Sequence, residues 1–254
     1  MRRKLIAGNW KMYKTPQEAM QLVKALKIKL TDIRKTDVVV CPPFIDIAAV
    51  RDILKDSKIT VGAQNMYLQK FGAFTGEISA PMIKDAGCEW VIIGHSERRQ
   101  YFHETDESVN QKIKFAVAEG LRPIVCIGET LEQRQSGETA NVITRQFTGA
   151  FKAIDATEFG KVVIAYEPVW AIGTGKNATA QEAEDVHKHI RSLIVQHYGQ
   201  TLANATVILY GGSVKPENAQ SLLSCPNIDG ALVGGASLDA EQFIAIVRTA
   251  ENLN

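Results

Sequence analysis

Residues 161–182 read KVVIAYEPVWAIGTGKNATAQE, and this stretch sets the pattern for the whole chain. It opens with a continuous apolar run, Lys161–Tyr166, which predicts a strand covered on both faces. The run ends in a carboxylate, Glu167, and Pro168 bars the strand from continuing. Four apolar residues follow, then Gly173 and Gly175, and then Thr179 with Glu182 three residues on. That last pair is the hydroxyl and returning carboxylate of a capping box, so a helix is expected from Ala180. The unit is one strand, one loop and one helix, and the loop is expected to carry Trp170 out toward solvent beside the acid.

The same beat recurs along the sequence. Strands are expected at Lys4–Gly8, Asp37–Cys41, Ile59–Ala63, Trp90–Gly94, Pro123–Ile127, Lys161–Tyr166, Thr206–Tyr210 and Gly230–Val233. Between them helical periodicity covers Pro16–Leu30, Ile45–Leu54, Ala80–Ala86, Asp106–Glu119, Thr139–Phe151, Ala180–Tyr198, Pro216–Leu223 and Ala240–Ala250. Thr15-Pro16-Gln17-Glu18 adds a second capping box with proline at the first helical position. Strand–helix alternation implies a parallel sheet. Eight units in 254 residues average about 32 residues each, and eight is the number that closes a (β/α)8 barrel. An open doubly wound sheet is the rival, because local pattern does not reveal closure. No linker or low-complexity block divides residues 1–254, which predicts a single α/β domain.

Composition narrows the functional classes. Apolar residues make up 45% and charged residues 22%, an ordinary globular balance. A formal net charge of +1 gives no basic footprint for nucleic acid. No apolar run reaches membrane-spanning length or forms a signal-peptide core, so a cytoplasmic protein is expected. Cys41, Cys88, Cys126 and Cys225 are scattered, which favours reduced thiols over disulfides or a zinc site. His187 and His189 fall on different faces of a helix and His197 lacks a carboxylate at ligand spacing, so no metal and no cofactor are expected.

In a parallel barrel the chemistry sits at the C-terminal ends of the strands. Those ends here read Asn9-Trp10-Lys11, Gln64-Asn65, His95-Ser96-Glu97-Arg98, Gly128-Glu129, Glu167, Gly211-Gly212-Ser213 and Gly234-Gly235. Taken singly, Glu167 is an ordinary surface acid, His95 a satisfied histidine, Lys11 a solvated lysine and the glycine pairs tight turns. Their convergence on one face is what argues for a site. Glycines after strands seven and eight let backbone N–H groups approach a phosphate, with Ser213 adding a hydroxyl. Gly173-Thr174-Gly175-Lys176 is not a P-loop, since Trp170 and Asn177 occupy positions that motif requires as glycine and hydroxyl. It is not a dinucleotide fingerprint either, because six residues separate it from its strand.

Five segments carry a resemblance: Ala7–Met12 (AGNWKM), Ile92–Arg99 (IIGHSERR), Ala165–Lys176 (AYEPVWAIGTGK), Tyr210–Val214 (YGGSV) and Leu232–Leu238 (LVGGASL). In this order, along the whole chain, they resemble the triosephosphate isomerase family. The family is itself a standard case of a carboxylate base working with a neutral imidazole. The resemblance implies interconversion of dihydroxyacetone phosphate and glyceraldehyde 3-phosphate through an enediolate. It implies Glu167 as base, His95 as electrophile, Lys11 facing the oxyanion and Asn9 as a substrate contact, with Gly173, Ser213, Gly234 and Gly235 on the phosphate. It implies a lid over residues Pro168, Val169, Trp170, Ala171, Ile172, Gly173, Thr174, Gly175 and Lys176. It also implies a homodimer, with the apolar loop Gln64–Gly76, including Gln64, Phe74 and Thr75, at the contact. Tyr13 departs from the family pattern, in which asparagine is frequent, and bears on loop packing. Cys126 reads as a small buried residue. The alternatives are another phosphosugar barrel, such as an epimerase or an indole-glycerol-phosphate enzyme, or an inactive phosphate-binding barrel.

Overall fold

The structure, a computed structural model, describes residues 2–171 and 178–253. Eight parallel strands close on themselves in sequence order: β1 (Lys4–Asn9), β2 (Thr36–Cys41), β3 (Ile59–Ala63), β4 (Trp90–Ile93), β5 (Arg122–Ile127), β6 (Val163–Tyr166), β7 (Ile208–Tyr210) and β8 (Gly230–Val233). The seam is β1 against β8, in register from Leu5 opposite Gly230 to Gly8 opposite Val233. Closure answers the choice that sequence left open, and the doubly wound alternative is excluded.

The apolar strands hide an alternation. Leu5, Ala7, Val39, Cys41, Trp90, Ile92, Ile124, Cys126, Val163, Ala165, Leu209 and Leu232 pack together as the filling of the barrel. Their neighbours, such as Ile6, Val40, Val125 and Ile164, face outward and meet the helices in a second, larger core. Each strand buries both faces, so a period of two does not show as hydrophobic-polar alternation.

The surrounding helices are α1 (Pro16–Lys29), α2 (Ile47–Leu54), α3 (Ala80–Asp85), α4 (Ser96–Tyr101), α5 (Asp106–Ala118), α6 (Leu131–Gln135), α7 (Thr139–Ala150), α8 (Ala156–Phe159), α9 (Ala180–Ala205), α10 (Pro216–Leu223) and α11 (Ala240–Asn252). Both expected capping boxes are present, at Thr15 with Glu18 and at Thr179 with Glu182. Helix α9 runs past the expected end at Tyr198, but Gly199 there has φ 85°, so the chain breaks at that point and resumes helically. Strands β6 and β7 begin two residues later than expected, at Val163 and Ile208. Helices α4, α6 and α8 fall outside the eight expected helical segments, being too short to show a helical period.

Candidate active site

The C-terminal mouth gathers the polar strand ends around a pocket of about 480 Å³. Its lining includes Asn9, Lys11, His95, Glu167, Ser213, Gly234 and Gly235, all from the expected set, together with Tyr13, Gly211, Gly212, Lys215 and Gln242.

Glu167 is placed by backbone on both sides. Its N–H donates to the Ile127 carbonyl of β5 at 2.8 Å, and the Gly211 N–H donates to the Tyr166 carbonyl at 2.7 Å. The neighbouring strands come so close that only glycine fits. A Cβ on Gly128 would lie 1.7 Å from the Glu167 carbonyl oxygen, and one on Gly211 would lie 2.8 Å from Glu167 Cγ. The side chain is 2% exposed. Its Oε2 accepts from the Ser96 N–H at 2.9 Å, while Oε1 lies 2.8 Å from His95 Nε2. That second contact is not aligned as a hydrogen bond, and Oε1 has no aligned donor among the described residues. Burial works against the Glu167 carboxylate, but His95, the Ser96 N–H and Lys11 outweigh it and hold the group below the usual carboxylate range.

His95 caps the N-terminus of α4, its Nδ1 accepting from the Glu97 N–H at 3.3 Å. A helix N-terminus disfavours imidazolium, and burial acts in the same direction. The Glu167 carboxylate 2.8 Å away nevertheless prevails, and the ring binds its proton more tightly than an ordinary histidine. The carboxylate in contact therefore outweighs both burial and the helix terminus.

Lys11 holds a left-handed backbone, φ 53°. That strain is held from two sides. Its N–H donates to Asn9 Oδ1 at 3.0 Å, and its carbonyl accepts from Gln64 Nε2 at 2.8 Å. The ammonium is 2.6 Å from Glu97 Oε1, and the stem passes over Gly234, where a Cβ would meet Lys11 Cε at 3.6 Å. Ser213 is half-buried at the end of β7, its carbonyl accepting from Asn218 Nδ2 at 3.0 Å. A Cβ on Gly235 would meet nothing within 4 Å, which leaves this backbone open to a ligand.

Of the expected lid, Pro168 to Ala171 are described, whereas Gly173 and residues 172–176 lie outside the described residues. Trp170 is half-buried rather than carried into solvent, a correction to the reading above. Its Nε1 donates to Glu129 Oε1 at 3.0 Å, and the Tyr166 hydroxyl donates to the same oxygen at 3.0 Å. Arg134 stacks on the indole at 4.6 Å, and the Val169 N–H donates to the Glu129 carbonyl. Glu129 thus anchors the loop. Sequence showed this acid at a strand end but gave no sign of its partners.

The loop expected at a subunit contact is less outward than its composition suggests. Met66 is fully buried, Gln64 bonds to the Lys11 and Cys41 carbonyls of its own chain, and Phe74 packs on Tyr67 at 4.6 Å. Thr75 is exposed and Phe71 is 81% exposed. Cys126 lies fully buried in the barrel filling, its thiol pushed well above its usual range by burial and by Glu167.

The triosephosphate isomerase family model matches residues 4–250. A triosephosphate isomerase of Caldanaerobacter subterraneus subsp. tengcongensis is 55% identical over 247 residues, covering 97% of this chain and 99% of the relative. One from Carboxydothermus hydrogenoformans is 54% identical, covering 98% and 99%. One from Alkaliphilus oremlandii is 53% identical, covering 97% and 99%. An (β/α)8 barrel whose strand ends carry the family's segments, matched along nearly its full length, belongs to the triosephosphate isomerase family.

Proposed function

We propose that this chain carries out the family's isomerisation, dihydroxyacetone phosphate to glyceraldehyde 3-phosphate and back, with Glu167, His95 and Lys11 as its working groups. The observation that carries the reading is the approach of Glu167 to His95 Nε2, 2.8 Å apart at the ends of different strands, in one pocket with Ser213 and the Gly234-Gly235 turn.

Glu167 removes the proton from the carbon beside the carbonyl, leaving an enediolate, and returns it to the neighbouring carbon. His95 gives its Nε2 proton to the carbonyl oxygen as negative charge develops there and takes up the proton of the neighbouring hydroxyl, so the two oxygens exchange roles, while Lys11 supplies a full positive charge. A carboxylate acting alone is a weak base for such a proton. General-base action contributes about 10²–10⁴-fold and each fixed donor about 10²–10³-fold, so the groups must act together. A carbonyl seated between the ring and Glu167 separates that pair and removes the pull that raises the imidazole's proton affinity. The ring is then neutral and able to donate. Gly173, Ser213, Gly234 and Gly235 hold the phosphate, and residues 168–176 close over the site and exclude water.

The chain acts as a cytoplasmic homodimer. Supporting this, Met12, Tyr13, Ile45, Phe71, Tyr101 and Phe102 are all more than half exposed and lie in the segments that follow the first four strands. No helix among the described residues is long and apolar enough to cross a membrane. The coupled triose-phosphate assay on the purified protein tests the function. Turnover is expected, while phosphate-analogue binding without turnover would favour an inactive binding barrel.

A further inference from the structure

The charges around the pocket do not favour the substrate's approach. Lys11 is tied to Glu97 at 2.6 Å, and Glu167 faces His95 at 2.8 Å. With a neutral imidazole these four groups carry one net negative charge, and with a protonated one they are neutral. Either way these four groups together offer a phosphate dianion no net long-range attraction.

Among the described residues, one further cation lines the same pocket. Lys215 is exposed, at the turn between β7 and α10, and makes no ion pair with any described residue. Residues 172–177 contain no carboxylate that would pair with it. Its backbone is held in place. The Lys215 N–H donates to Asn218 Oδ1 at 2.8 Å, and Asn218 Nδ2 donates to the Ser213 carbonyl at 3.0 Å. One asparagine therefore holds the backbone of both Ser213, whose hydroxyl is expected to meet the phosphate, and Lys215 two residues on. Pro216, at the first position of α10, stiffens the turn further.

We propose that Lys215 is an electrostatic steering residue, whose charge draws the phosphate dianion to the pocket mouth and speeds capture without entering the chemical step. The proposal rests on the reading that the phosphate enters this pocket. An exposed cation acting across water on a dianion is screened by salt over about 10 Å at ~0.1 M ionic strength, which gives the effect a signature that direct contact lacks.

The test measures kcat/KM and kcat against ionic strength for wild type, Lys215→Gln, Lys215→Arg and Lys215→Glu. At low salt Lys215→Gln is expected to lower kcat/KM by about three- to tenfold, Lys215→Glu by roughly the square of that factor, and Lys215→Arg by little. The loss should shrink to under about twofold at high salt, with kcat within about twofold throughout. Unchanged kcat/KM in Lys215→Gln, a loss that persists at high salt, or a fall in kcat would each overturn steering. Wild-type turnover in Glu167→Gln would instead sink the pocket assignment, so the two failures are distinguishable.

Discussion

Replacing His187 with glutamine should change how the protein responds to acid. His187 is fully buried on α9, its ring 5.8 Å from Tyr166 and 6.4 Å from Tyr210, the residues that precede Glu167 and Gly211. Its Nδ1 meets the Asn227 carbonyl at 3.2 Å. Burial lowers its pKa from 6.5 to about 3, against an opposing pull from that carbonyl and with Arg191 adding to the drop. Because the folded pKa is depressed, the unfolded chain takes up a proton near pH 6.5 that the native state refuses. Stability is therefore full above pH 6.5 and falls as pH drops toward 3, by up to about 1.4 kcal/mol per pH unit. Between pH 7 and pH 5 this group alone should remove about 2 kcal/mol. Glutamine keeps a donor for Asn227 but has no proton to gain. Urea unfolding followed by circular dichroism at pH 7, 6 and 5, at one protein concentration, gives the comparison. Wild type is expected to lose about 2 kcal/mol more than His187→Gln across that range. Parallel losses would refute the argument.

Two further predictions concern the mouth of the barrel. Gly211→Ala places a Cβ 2.8 Å from Glu167 Cγ and 3.1 Å from the Tyr166 carbonyl oxygen, so the acid must move; kcat should fall about 10²-fold in the coupled assay, and an unchanged kcat would contradict the pinch described above. Phe71→Glu sets a charge on a side chain that is 81% exposed in the expected dimer loop; sedimentation should shift toward monomer on dilution, and an undisturbed dimer would exclude this loop from the contact.

The architecture was readable because its signals are local. Continuous apolar runs, capping boxes such as Thr179 with Glu182, and glycine-ended strands mark each unit, and counting eight of them pointed to closure. Asn9, Lys11, His95, Glu167, Ser213, Gly234 and Gly235 were legible as strand ends, and the structure gathers them around one pocket. Relations between strands were not legible. The squeeze of Gly128 and Gly211 on Glu167 depends on two neighbouring strands approaching within contact distance. Trp170 looked solvent-bound because its partner Glu129 lies 41 residues away, at the end of another strand. The proton affinity of His95 is raised chiefly by Glu167, 72 residues on, a partner that no local pattern reveals. Met66 looked like part of an outward apolar load, yet it turns into the core while Phe71 stays out.

The most direct test of the account is kcat for Glu167→Gln, measured with the binding of a phosphate-bearing inhibitor in the same preparation. The amide preserves the shape of the side chain and its contact with the Ser96 N–H but takes up no proton. The account predicts that kcat falls by at least about 10²–10⁴-fold while the inhibitor binds within a few-fold of wild type. Turnover at the wild-type rate would contradict it.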